Sequence, residues 1–334
     1  MIIRAYAAGE PKAKLAPFEY ESRPLGPHDV AIAISHCGIC HSDIHLWNND
    51  WGLSQYPLVP GHEIAGTVID LGHMVRGLDV GSRVGVGWQC GACLECEWCA
   101  SGHDNLCPNG AATCVGNYGG YADAIVVDSR YAFLLSDRLT SASAAPLMCG
   151  GITVYSPLRQ LNVQPHMKVG VVGIGGLGHL ALQFARAFGC EVTAFSSSPD
   201  KQSDARHFGA HHFVNSTDPK DLGVAAGSQD VLIVTANVEL DWLACINVLR
   251  PMGHLCFVGA VPKPVSIPAM ALIVGNKSVS GSPIGSRQAI RDMLEFAARH
   301  NIVARTELMP MSQVNEALAK VAANQARYRV VLQN

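Results

Sequence analysis

The sequence predicts an α/β protein of two domains, one β-rich with many loops and the other a doubly wound parallel sheet. Three observations carry this. At 334 residues the chain is longer than one core ordinarily organises, so the length prior favours two domains. Before about residue 150 the apolar runs are short and punctuated by Gly and Pro, as strands joined by loops are. After Gly151 short Val-rich runs alternate with stretches of helical spacing, the pattern of strands buried on both faces of a parallel sheet. Apolar residues make up 49% of the chain and charged residues 15%, enough to fill two cores and too apolar for disorder.

Taken in order, 28–35 and 61–70 read as strands of the first part. In the second part the strands are 169–172, 192–195, 213–215, 231–235 and 255–259, with helical stretches between most of them. The chain closes with a helix over 311–321 and a strand over 328–332 that returns toward the first domain. There are no internal repeats and no low-complexity segments.

Within the first part, Cys93, Cys96 and Cys99 recur every third residue and Cys107 follows after a short loop. Four thiolates so spaced can close around one tetrahedral ion, and such all-thiolate sites are structural zinc sites with no position left for substrate. The alternatives are a disulfide cluster or scattered buried thiols. A disulfide cluster needs an oxidising compartment, and nothing in the sequence looks secreted.

A second set of metal-type residues lies outside that run. Cys40 follows Cys37-Gly-Ile, His62 and Glu63 follow Gly61, and Cys149 stands in Pro146-Leu-Met-Cys149-Gly-Gly. Singly, each cysteine reads as a small core residue and the histidine as hydrogen-bonded packing. Together, two thiolates and one imidazole form the Cys2His set that leaves a fourth zinc position open to water or substrate.

The run Lys168-Val-Gly-Val-Val leads into Gly173-Ile-Gly175-Gly176-Leu177-Gly178 and then a helical pattern. This places G-x-G-x-x-G between strand and helix, where its mechanism requires it. Gly173 permits the tight turn, Gly175 lets the backbone approach a pyrophosphate, and Gly178 allows close helix–strand packing. The next strand ends in Ser196-Ser197-Ser198-Pro-Asp-Lys201, where an NAD site carries a carboxylate for the ribose 2′-hydroxyl. Hydroxyls and an ammonium there accept a 2′-phosphate without repulsion, which favours NADP(H). A Ser-rich helix cap is the other reading and is compatible with either dinucleotide.

The formal charge of −3 and a pI near 6.5 suggest neither nucleic acid nor an anionic membrane as partner. No apolar stretch approaches the length of a membrane span, and no N-terminal segment reads as a signal peptide. Twelve cysteines without a secretion signal indicate a reducing cytoplasm and metal binding. The thiols of Cys37, Cys90, Cys114, Cys190, Cys245 and Cys256 read as packing. Trp51, Trp88 and 57–59 are read either as an apolar pocket wall or as core.

These motifs in this order, from Cys-Gly-Ile-Cys-His-Ser-Asp to Gly-Ile-Gly-Gly-Leu-Gly and the closing Ala326-Arg-Tyr-Arg329-Val-Val, resemble the zinc-containing medium-chain dehydrogenases along essentially the whole chain. The resemblance is greatest to the cinnamyl alcohol dehydrogenase branch and its bacterial broad-range aldehyde reductases. It implies a GroES-like catalytic domain over 1–150, completed by 303–334, and a Rossmann domain over 151–302. It further implies a homodimer in the cytoplasm, two zinc ions per chain, NADP(H), and an aldehyde or primary alcohol as substrate. Cys40, His62 and Cys149 then hold the catalytic zinc, and Glu63 is a neighbouring or occasional direct ligand. Asp43 receives the N–H of His62 and fixes its tautomer. Ser42 and His45 relay the substrate proton toward solvent, Thr153 supports the nicotinamide, and Arg329 contacts the dinucleotide. Ser42 and Asp43 are also ordinary residues for a capped helix start, and both readings hold together. Two rival classes share part of this pattern. A zinc-free quinone or enoyl reductase shares the fold without needing Cys40, His62 and Cys149, and a non-catalytic zinc module explains the four-cysteine run without the glycine loop.

Overall fold

Asp29–Gly38 is the strand on which the first unit is built. Val30, Ile32 and Ile34 are buried on one face and Ala31 on the other, as a central strand requires. In the computed structural model, which describes residues 1–334, this strand pairs antiparallel with Ile64–Leu71, Ala124–Asp128 and Arg329–Gln333. The mixed sheet continues outward to Thr306–Pro310 on one side and to Arg83–Val86 and Ala132–Leu134 on the other. Ile32, Ile64, Val68, Val84, Tyr121 and Val330 fill the core it covers. The expected strand over 61–70 begins only at Ile64, because Gly61 turns the chain at φ +101° and leaves His62 and Glu63 outside the strand. The expected helix from 311 opens with a tight turn over Met311–Gln313 before Val314–Ala322.

The second unit is a six-stranded, all-parallel sheet in the spatial order His212–Asn215, Glu191–Ser196, Lys168–Val172, Gln229–Val234, Leu249–Phe257, Ser278–Gly281. In chain order this is 3-2-1-4-5-6, the doubly wound dinucleotide-binding arrangement, and the strand order reverses beside Lys168–Val172. Helices Gly178–Ala187, Gln202–His207 and Trp242–Val248 are among its connections.

The units comprise Met1–Ile152 with Ile284–Asn334, and Thr153–Pro283. The return to the first unit therefore starts at Ile284 rather than at 303. The reason is helix Arg287–His300, whose apolar face (Ile290, Met293, Leu294, Ala297) is buried with Met293 against Gly151. Asn105 also donates to the Ile284 carbonyl at 3.1 Å.

Candidate active site

Three irregular pieces of backbone converge in the first unit. Asp29–Gly38 delivers Cys40 to the start of helix His41–Asn48, the Gly61 turn delivers His62 and Glu63, and a π-helical turn over Leu147–Gly151 delivers Cys149. Donor atoms of Cys40, His62, Glu63 and Cys149 lie within 4.8 Å of one another, and all four residues are buried. The Cys40 and Cys149 sulfurs are 4.0 Å apart, close to the roughly 3.8 Å that two ligands of a tetrahedral zinc with 2.3 Å bonds require.

His62 decides the chemistry of this cluster. Its Nδ1–H donates to Asp43 Oδ1 at 3.1 Å, while its Nε2 is buried with no partner in the protein. A buried imidazole nitrogen left unpaired is costly unless something outside the chain takes its lone pair. Two thiols and that lone pair are the donor set zinc prefers. Asp43, itself fully buried, also accepts from Cys40 N at 2.9 Å and Gly61 N at 3.0 Å. One carboxylate thereby caps the helix start and orients the histidine.

Charge is compensated within the cluster. The neighbouring Cys149 thiol holds Cys40 well below the ordinary thiol range, and Cys149 is raised in return. Burial opposes charging His62, but Asp43 and Cys149 together drive it well up. Burial pushes Glu63 up to about 7 against the pull of Arg329. Arg329, expected at the dinucleotide, has its guanidinium buried in an ion pair with Glu63, with 5% of its side chain exposed. Gly38 makes room for this pair, since a Cβ there would lie 2.1 Å from Glu63 Oε2.

Ser42 and His45, expected in the relay, both stand on helix His41–Asn48. Ser42 Oγ lies 3.7 Å from the Cys40 sulfur, beside the cluster. The His45 ring turns away to Asp50 Oδ2 at 2.8 Å and stacks on Trp51 at 4.9 Å. Trp88 sets its edge against His62, with ring centres 4.9 Å apart. Leu58 and Val59 are buried core residues, the second of the two readings of this segment. Sequence reasoning missed Cys114, read as packing, whose sulfur lies 3.8 Å from His62 Nδ1. It missed Asp50, only five residues from His45, and the Glu63–Arg329 pair, which no local signal could have revealed across 266 residues.

The second thiol group is built locally. Cys93, Cys96, Cys99 and Cys107 also bring their sulfurs within 4.8 Å, with Cys93–Cys99 and Cys96–Cys107 both at 3.9 Å. Backbone N–H groups of Glu95 and Cys96 hold Cys93 down to about 6, in a turn where Leu94 takes φ +63°.

In the second unit, Gly173 takes φ +92°, and a Cβ on Gly178 would lie 1.9 Å from the Gly173 carbonyl oxygen. A Cβ on Gly175 would meet nothing within 4 Å, so its backbone faces open space, as contact with a pyrophosphate requires. Gly176 and Leu177 complete the turn, with Leu177 at the helix start. Ser196 is buried at its strand end and accepts from Ser198 N at 3.2 Å. Ser198 precedes a helical turn but makes no side-chain capping bond, and Ser197 is exposed. The helix-cap reading thus lacks its hydrogen bond. Lys201 reaches back to the glycine loop, its Nζ donating to the Ile174 carbonyl at 2.9 Å. Thr153 is buried in helix Ile152–Gln160.

Residues 26–137 match the alcohol dehydrogenase GroES-like domain, and residues 176–299 match the zinc-binding dehydrogenase family. The chain is 48% identical to an aldehyde reductase, AdhA, of Synechocystis sp., over 99% of this chain and 98% of that protein. This chain belongs to the zinc-binding alcohol dehydrogenase family. Within this family it is of the cinnamyl alcohol dehydrogenase-like branch. A cinnamyl alcohol dehydrogenase of Sorghum bicolor superposes with a TM-score of 0.96 at 38% identity, covering 100% of this chain and 98% of that one. The Helicobacter pylori enzyme complexed with NADP(H) superposes with a TM-score of 0.93 at 33% identity, over 100% and 98%. No helix of this dehydrogenase is long and apolar enough to cross a membrane.

Proposed function

We propose that this chain is a zinc-dependent aldehyde reductase, reversibly a primary alcohol dehydrogenase, that uses NADP(H). The observation that carries the reading is the buried Cys40–His62–Cys149 set with an unpaired His62 Nε2. Neither the zinc-free reductase nor the structural module needs it.

Cys40, His62 and Cys149 would hold the catalytic zinc, and Cys93, Cys96, Cys99 and Cys107 a structural one. When bound, the catalytic zinc supplies a Lewis acid for the substrate oxygen and the nicotinamide supplies or takes the hydride. The remaining work falls to the protein. Asp43 keeps His62 in the tautomer with a free Nε2. Arg329 holds Glu63 beside the ligand set. Ser42 gives a hydroxyl at the cluster through which the substrate proton leaves or arrives, and His45, paired with Asp50, is the nearest titratable group toward solvent. Gly173, Gly175, Gly176, Leu177 and Gly178 cradle the pyrophosphate, Thr153 supports the nicotinamide, and Ser196, Ser197, Ser198 and Lys201 receive the 2′-phosphate.

NADP(H) is supported by the hydroxyls at the end of the second strand and by the NADP(H) bound to the Helicobacter relative. The reading extends to a homodimer, implied by the family resemblance, working in the cytoplasm, where its twelve unpaired thiols would remain reduced. The test is steady-state kinetics on a panel of aliphatic and aromatic aldehydes and alcohols, with metal content and solution mass measured on the same sample. NADPH is expected to be preferred over NADH by at least about tenfold in kcat/KM, and Ser196→Asp should remove most of that preference. Equal constants for both dinucleotides would reject the NADP assignment, and full turnover in zinc-free protein would reject the mechanism.

A further inference from the structure

Helix His41–Asn48 ends at Asn49, which takes the left-handed conformation at φ +59° and so reverses the chain. Asp50 N donates back to the His45 carbonyl at 2.9 Å, and Asn49 N to the Leu46 carbonyl at 3.0 Å. These are the paired bonds of a Schellman turn. Ser54 secures the return, its N donating to Asn49 Oδ1 at 3.1 Å and its Oγ to the Leu46 carbonyl at 2.5 Å. Two consecutive side chains are thereby folded onto one ring. Asp50 takes the Nδ1 edge of His45, and Trp51 stacks on the face of the ring with the two planes 29° apart. Trp88 meets Trp51 edge-on, with ring centres 6.4 Å apart, and is itself set against His62.

The two neighbours act differently on His45. A carboxylate only accepts, so Nδ1 carries a proton and Nε2 is the nitrogen free to take up or release one. One hydrogen bond along an edge leaves the plane of the ring free to tilt, and the stacked indole removes that freedom. An indole face also attracts a cation through the ring quadrupole, so it favours the charged ring over the neutral one. Two other groups bear on the charge. His41 lies one turn back with its ring centre 6.2 Å away, and the charge of Lys12 reaches Asp50. Positive charge on either opposes protonation of His45, which leaves Asp50 and Trp51 to support it.

We infer that Trp51 is a positioning residue for the proton relay, its indole face fixing the His45 ring and favouring the imidazolium that receives the alcohol proton. This role holds only where Ser42 and His45 relay that proton as proposed above. The first readout needs no turnover. A protonated imidazole in ring contact quenches indole emission, so fluorescence of the zinc-loaded enzyme without dinucleotide should rise as pH passes through the His45 midpoint. The transition should vanish in both His45→Gln and Trp51→Phe, the other tryptophans serving as background. The second readout is the pH profile of kcat for alcohol oxidation, which rises as His45 loses its proton. Because stacking favours the protonated ring, Trp51→Leu should lower the midpoint by about half a pH unit. Trp51→Phe, which keeps an aromatic face, should lower it less. A merely structural Trp51 would reduce kcat at every pH and leave the midpoint in place. With 38% of Trp51 exposed, its loss opens no core. Should Trp51→Leu still fail to fold, Trp51→Phe against the unaltered enzyme reads the same midpoint. A fluorescence transition that survives either substitution, or a midpoint unmoved by loss of the indole, would overturn the inference. Failure of the relay itself is read on a different variant: His45→Gln would keep the full pH profile although its fluorescence transition is gone, and the role of Trp51 would fall with it.

Discussion

The two thiol groups of the first unit use the same element in opposite ways. Cys93, Cys96, Cys99 and Cys107 come from one short stretch and lie partly exposed, with only Cys99 buried. Cys40, His62, Glu63 and Cys149 come from three distant stretches, all buried, and are surrounded by Asp43, Arg329, Trp88 and Cys114. The local group lies within one short turn, whose own backbone N–H donors lower Cys93. The dispersed group needs a carboxylate to fix a tautomer, a guanidinium to offset a buried acid, and a glycine to make space. A site built for binding alone can be self-contained, whereas one built for reaction must leave a position open and support everything around it.

This contrast can be broken by experiment. The largest effect is expected from Cys40→Ser or His62→Ala, which should lower kcat by at least about a thousandfold and remove one of two zinc ions with little change in far-UV circular dichroism. Retained turnover after loss of that zinc would erase the distinction. Next, Cys96→Ser or Cys107→Ser should reduce the melting temperature by at least about 5 °C and lower soluble yield. Any protein that folds should keep most of its kcat, and an unchanged melting curve would show that this group is dispensable. Asp43→Asn should sharpen the role of orientation, with a drop of about 10- to 100-fold in zinc affinity or activity, read by competition with a chelator. The smallest effect is expected for Gly38→Ala. Its Cβ crowds Glu63, so zinc release from the dispersed site should speed a few-fold by stopped-flow chelation, with the four-cysteine site unaffected.

Legibility in the sequence followed the same divide. The four-cysteine loop and the glycine loop announced themselves because their chemistry is written in consecutive residues. The parallel strands were readable because burial on both faces demands unbroken Val-rich runs, and the observed strands Lys168–Val172 and Gln229–Val234 lie where those runs are. The pairing of Arg329 with Glu63 was not readable because nothing near either residue mentions a partner 266 residues away. Cys114 looked like packing because its contact with His62 exists only once a turn, a strand end and Trp88 are in place. The helix Arg287–His300 was not read from the sequence, and with it the earlier return of the chain to the first unit.

The strand Arg329–Gln333, threaded between Asp29–Gly38 and Thr306–Pro310, also imposes an order on assembly. Sulfurs that approach across a separation of 14 residues, as Cys93 and Cys107 do, can meet in a largely unfolded chain, since closing so short a loop costs little entropy. Cys40 and Cys149 meet across 109 residues, and the Glu63–Arg329 pair must wait for that strand to dock. When such a chain refolds with zinc in short supply, the first metal is captured by the local loop and the dispersed cluster is filled last. Starved of zinc, the population becomes a set of well-folded molecules without turnover, and late addition of the metal restores activity at a rate independent of refolding.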